Sequence, residues 1–148
     1  MRVMTLVLLT VAMMGWGGGS AAAPLDLQER AQVLASEGRG EGLVLYTFWS
    51  VTCPICHQMK KDMAEVEGID WRMIPVGFSD EGWQWSVEAV GFDAAGDNLR
   101  LARELEIRGT PTSFIQDGDT LYRIRGGRPA SFWEELPARF EKMQSEAR

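Results

Sequence analysis

Residues 43–63 read LVLYTFWSVTCPICHQMKKDM, and a change of pattern inside that stretch decides the fold class. Leu43 to Trp49 is almost unbroken in apolar, β-branched and aromatic residues, as expected of a strand buried on both faces of a parallel sheet. Beyond Ser50 to Cys53, which reads as a turn, Ile55, Met59, Met63 and Val66 recur at helical spacing, while Gln58, Lys60, Lys61 and Asp62 stay polar. Pro54 suits the first helical position, where its missing N–H is not needed, and Gly68 marks the end. Trp71 to Phe78 reads as a second strand, so the chain spells strand, helix, strand and requires a right-handed parallel crossover. Pro75 within that strand puts it at a sheet edge or at a bulge.

Working outward, Asp26 with Glu29 predicts a capped helix carrying Leu27, Ala31, Leu34 and Ala35 on one side, closed by Gly38 and Gly40. The stretch from Ser79 to Gly96 has no clear period. Trp83, Trp85 and Phe92 exclude a disordered linker there and read as a satellite cluster packed on the sheet edge. Asp97 or Asn98 is the expected cap of a helix bearing Leu99, Leu101, Ala102 and Leu105, with Gly109 just past its end. Thr112 to Gln116 and Thr120 to Arg125 flank Asp117-Gly118-Asp119 and read as an antiparallel hairpin. Ser131 and Glu134 make a capping box for a last helix with Phe132, Trp133, Leu136, Phe140 and Met143 on its apolar face, and Pro137 is expected to kink it or limit its first turn.

The length of 148 residues fits one compact domain and is short for two. Residues 1–23 read as an export signal: Arg2 is basic, Val3 to Met14 is uncharged and apolar, and Gly17 to Ala23 is small and polar. The apolar run is shorter than the ~20 residues that span a bilayer, so cleavage after Ala22 or Ala23 is expected, rather than an anchor. That leaves residues 24–148 as the domain, without stable membrane insertion and in the periplasm. A formal net charge of −6 argues against nucleic acid as a partner.

Only two cysteines are present, Cys53 and Cys56. The loop they would close is too small to constrain the unfolded chain much, so the pair reads as reactive rather than structural. A helix that begins between them sets the first sulfur at the positive end of a dipole, which favours its thiolate. Cys56, one turn further in, suits a resolving thiol. Zinc would need four ligands, and Cys53, Cys56 and His57 are too few. His57, the only histidine, either tunes the pair or is a solvated helix residue. A copper carrier using Cys53, Cys56 and His57 is the alternative to an enzyme, because soft thiolates suit that ion.

The buried strand, the Cys-x-x-Cys at a helix start, and Gly109-Thr110-Pro111-Thr112 before the hairpin together resemble the thioredoxin superfamily over Leu43 to Met143. The resemblance implies an α/β thioredoxin fold: a central mixed four-stranded sheet flanked by helices, with an insert before the helix preceding a cis-proline. It implies that Pro111 is cis and lies beside the cysteines, and that the Thr110 backbone pairs with substrate. Trp49, Pro54, Ile55, Thr110, Pro111 and Gly126 or Gly127 would line the groove. The activity implied is thiol–disulfide exchange on exported proteins through the Cys53/Cys56 couple, with no further cofactor. A membrane thiol carrier would supply electrons to a monomer. Two departures stand out. Thr47 occupies the place of a buried aspartate in typical cytoplasmic members, and Ile55 stands where strongly oxidising relatives have a histidine, so a less oxidising pair is expected. The longer segment after the second strand and the Thr before Pro111 resemble periplasmic thioredoxin-like reductases and the catalytic domains of disulfide isomerases.

Overall fold

The computed structural model describes residues 25–34 and 40–148. The export signal, its cleavage point, Ala35 and Gly38 lie outside the described residues. In chain order the elements are α1 (Leu27–Arg30), β1 (Leu43–Trp49), α2 (Pro54–Met63), β2 (Ile69–Pro75), α3 (Asp80–Val90), α4 (Phe92–Glu104), β3 (Thr112–Asp117), β4 (Thr120–Arg125) and α5 (Ala130–Glu146). Among the described residues no helix is long and apolar enough to cross a membrane.

The sheet has four strands in the order β2-β1-β3-β4. β1 and β2 run parallel, joined through α2, with Thr47 opposite Met73 and Trp49 opposite Pro75. β3 is antiparallel to β1 and to β4, which makes the sheet mixed. Side-chain alternation along β1 then divides the core. Leu45 packs with Met59, Met63, Ile115, Trp133 and Phe140 beneath α2 and α5. Tyr46 and Phe48 pack with Leu27, Ile74, Leu101 and Phe114 beneath α1 and α4. Pro75 closes an edge strand, where its missing donor costs no ladder bond.

Four local expectations are corrected by tertiary contacts. α1 stops at Arg30 rather than continuing to Ala35, because the chain turns extended at Ala31 and is captured from the side. The Leu34 N–H donates to the Met73 carbonyl, and Gln32 exchanges bonds with Asn98. β2 begins at Ile69 and ends at Pro75, earlier at both ends than the reading of Trp71 to Phe78. α4 begins at Phe92, so neither Asp97 nor Asn98 is its cap. Asn98 is instead fully buried inside the helix, where its side chain bonds the Gln32 backbone and the Pro75 carbonyl. α5 starts at Ala130 behind Pro129 without a side-chain cap, so Ser131 and Glu134 form no capping box. The helix passes through Pro137 and continues to Glu146.

The unreadable stretch after β2 is α3, capped by Ser79, whose Oγ accepts the Gly82 N–H at 3.2 Å. A β-carbon on Gly77 would lie 1.9 Å from the carbonyl carbon of Gly82, so only glycine lets strand end and helix start come this close. Gly82 in turn faces the Ser50 hydroxyl, which ties the start of α3 to the turn after β1.

Candidate active site

The turn between β1 and α2 holds both cysteines, and they are joined as a disulfide. Cys53 is the N-cap of α2, with extended backbone angles and Pro54 as the first helical residue. Its Sγ accepts the N–H of Cys56 at 3.1 Å, so one of the unpaired donors at the helix start points at this sulfur. The same Sγ lies 3.3 Å from the carbonyl oxygen of Thr110. Cys53 is partly exposed, whereas Cys56 is completely buried with Trp49 and Met73. One cysteine is therefore partly open to solvent and the other is shielded.

Opposite the cysteines, the Thr110–Pro111 peptide bond is cis, and Pro111 is buried at the start of β3. The Gly126 N–H donates to the Pro111 carbonyl at 2.8 Å, and Gly126 itself takes a φ of 74°, which suits glycine. Ile55 is 55 % exposed, and a β-carbon on Gly127 would meet its Cγ2 at 2.5 Å. The structure thus brings together Cys53, Pro54, Ile55, Thr110, Pro111, Gly126 and Gly127 along one surface.

Trp49 lies just below that surface. Its indole N–H donates to the Cys56 carbonyl at 2.7 Å, fixing the first turn of α2 against β1. Its ring meets Trp85 at 5.2 Å and His57 at 4.8 Å. Trp85 therefore belongs to the shell around the cysteines, while Trp83 pairs outward with Phe92, which is 69 % exposed. The expected single aromatic cluster is two. His57 is exposed on α2, and its Nε2–H donates back to the Val51 carbonyl at 2.7 Å, bracing the turn. Among the described residues no group of three or more His, Cys, Asp or Glu side chains is placed to hold a metal.

Behind Cys56 the sheet carries neutral polar groups. Thr47 and Ser113 face each other across β1 and β3, fully buried, with their hydroxyls 2.8 Å apart. The Trp71 indole N–H donates to the Thr47 oxygen at 2.9 Å. Trp71 also packs against the cluster that contains Cys56. Sequence reading singled out Thr47 but missed Ser113, Trp71 and Trp85. Strand alternation put Ser113 and Trp71 within reach of inference, since both share the Thr47 face. Nothing in the sequence placed Trp85.

A dithiol–disulfide pair at a helix start, facing a cis-proline across a four-stranded mixed sheet, defines a redox scaffold of the thioredoxin type. The chain belongs to the thioredoxin-like domain family, which matches residues 28–140. With its Cys-x-x-Cys disulfide it is a thiol–disulfide oxidoreductase. Among solved structures, a periplasmic thioredoxin-like protein from Salmonella enterica serovar Typhimurium is similar at a TM-score of 0.51 and 16 % identity, covering 69 % of this chain and 86 % of that one. A linker-deletion variant of Proteus mirabilis ScsC is similar at 0.53 and 17 % identity, covering 69 % and 71 %. At these identities the likeness is one of fold. No curated protein matches the sequence.

Proposed function

We propose that the enzyme works on disulfides of exported proteins, with Cys53 as attacking thiol and Cys56 as resolving thiol. In the reduced state the Cys53 thiolate attacks one sulfur of a substrate disulfide. A Cys53–substrate bond forms, and the other substrate sulfur leaves with the electron pair. Cys56, deprotonated, then attacks Cys53, closes the Cys53–Cys56 disulfide and expels the second substrate thiolate. Two electrons pass from the dithiol to the substrate, and the protons end on the substrate thiols. A dithiol carrier in the membrane returns the pair to its reduced form.

The observation that carries this reading is the position of the Cys53 sulfur. It receives the Cys56 N–H at a helix start and lies against the Thr110 carbonyl, where an extended peptide can add as a strand. Pro54, Ile55, Pro111 and Gly126 form the walls of that groove, Trp49 lies buried beneath it rather than in its wall, and His57 acts by holding the Val51 carbonyl and the turn. The reading takes residues 1–23 as the export signal and 24–148 as a monomeric working domain, and the similar periplasmic thioredoxin-like fold is in keeping with export. The copper-carrier reading is weaker, since His57 spends its Nε2 on a backbone carbonyl rather than on a shared site.

The test is a Cys56→Ser variant expressed in the native compartment. Mixed disulfides captured on Cys53, and lost in the Cys53→Ser/Cys56→Ser pair, are expected. Absence of any thiol-linked protein, together with failure of the wild type to reduce insulin, would refute the proposal.

A further inference from the structure

Beside the cis-proline lies a cleft of about 360 Å³, with Thr110, Pro111 and Gly126 on its groove side and Arg108, Arg123 and Arg125 among its other walls. The geometry points to this cleft as a subsite that takes an acidic side chain of the substrate polypeptide, so that the enzyme selects disulfides flanked by Asp or Glu. The inference rests on the reading of Thr110–Pro111 as the place where substrate docks.

Local charge argues for it. The chain is acidic as a whole, at a formal −6, yet three arginines and one acid, Glu106, line this cleft. The β3–β4 hairpin separates its charges by end, with Asp117 and Asp119 at the turn and Arg123 and Arg125 at the end next to Pro111. The register sets Arg125 opposite Thr112 and Arg123 opposite Phe114, so both arginines stand on the same face of the sheet. Among the described residues no carboxylate forms an ion pair with Arg108, Arg123 or Arg125.

Arg123 is held in place before any ligand arrives. Its guanidinium donates to the Leu105 carbonyl and lies 5.1 Å over the Phe114 ring, so little side-chain freedom remains to be lost on binding. Arg108 and Arg125 are exposed and line the same cleft, and guanidinium forks match a carboxylate in two-point geometry. A peptide added as a strand at Thr110 and extended past Gly126 passes this rim directly, while a basic peptide meets like charge there.

The test uses the reduced protein and two short peptides, each with one cysteine carried as its mixed disulfide with thionitrobenzoate and flanked by either two Glu or two Lys. Attack of Cys53 on the peptide sulfur forms the peptide–Cys53 bond and releases the coloured aryl thiolate with the electron pair. The Glu peptide is expected to react about tenfold faster at low ionic strength, and the advantage should shrink as salt shortens the Debye length from about 30 Å to about 10 Å. In the Arg108→Glu/Arg125→Glu variant, with its fold checked by circular dichroism, the order should reverse. Equal rates for the two peptides in the wild type, or an undiminished Glu preference in the variant, would overturn the subsite. Hydroxyethyl disulfide, small and neutral, separates the two claims. If it reacts while the peptides are not discriminated, only the subsite falls; if it does not react, the reading of Cys53 as attacking thiol falls.

Discussion

The pair of hydroxyls behind Cys56 allows a quantitative test of how far two buried polar groups depend on each other. Thr47→Val keeps the side-chain shape, so it opens almost no cavity, but it removes the oxygen that Ser113 and Trp71 both use. Ser113 is fully buried and its hydroxyl pairs with Thr47 Oγ1, so it is left unsatisfied at about 1–3 kcal/mol. Trp71 is only half-buried, so its indole N–H regains water, and losing that bond adds about 0.5–1.5 kcal/mol. The single variant should therefore be destabilised by roughly 2–4 kcal/mol. Ser113→Ala leaves the Trp71 bond in place and should cost about 1–2 kcal/mol. The double variant has no stranded hydroxyl, so its loss should fall short of the summed singles by about 1 kcal/mol or more, within the usual range for coupled neighbours. Urea unfolding of the four oxidised proteins measures this. Additivity within about 0.5 kcal/mol would show that the two oxygens do not depend on each other and refute the reasoning.

Gly77→Ala drives a β-carbon into the Gly82 backbone, which cannot swing aside like a side chain, so a loss at or above the upper end of the usual 1–3 kcal/mol for overpacking is expected in thermal unfolding. A near-neutral result would contradict the close contact of strand end and α3. Trp49→Phe removes the indole bond to the Cys56 carbonyl while keeping a ring against Trp85; amide exchange in the first turn of α2 should quicken several-fold, and unchanged exchange would show that the bond does not hold the turn. Hydrogen bonding from Arg30 holds the Glu104 carboxyl below its ordinary range. A depressed folded pKa means the stabilisation is present above the unfolded value, about 4.3, and is lost as pH falls from there through the folded value. The melting-temperature gap between wild type and Glu104→Gln should accordingly close below about pH 4, and a constant gap into stronger acid would exclude this link between α1 and α4.

The elements legible in the sequence were those whose signal is local. Leu43–Trp49 needed only its unbroken apolar run, α2 its period and Pro54, and the hairpin its Asp-Gly turn. The candidate site was read from the same stretches, since a cysteine at a helix start and a Thr-Pro before the hairpin are both read along the chain. What failed depended on partners distant in sequence. Asn98 has the residue type of a cap, yet a buried amide that bonds Gln32 and Pro75 gains more inside the helix than at its start. α1 broke off because Leu34 found the Met73 carbonyl, a bond that no periodicity announces. α3 was hidden because the residues it turns inward are Gly82, Trp85 and Ser86, which spell no apolar period, with Gly82 against the active-site turn and Trp85 against Trp49.

The central claim is that the reduced Cys53 sulfur is a stabilised thiolate, and the rate of alkylation of the reduced protein by iodoacetamide as a function of pH measures it directly. Cys53 should react first, and its titration should fall clearly below that of an ordinary cysteine, about 8.5, because the helix start and the Cys56 N–H favour the anion. A profile indistinguishable from a free thiol, or earlier modification of the buried Cys56, would contradict the account.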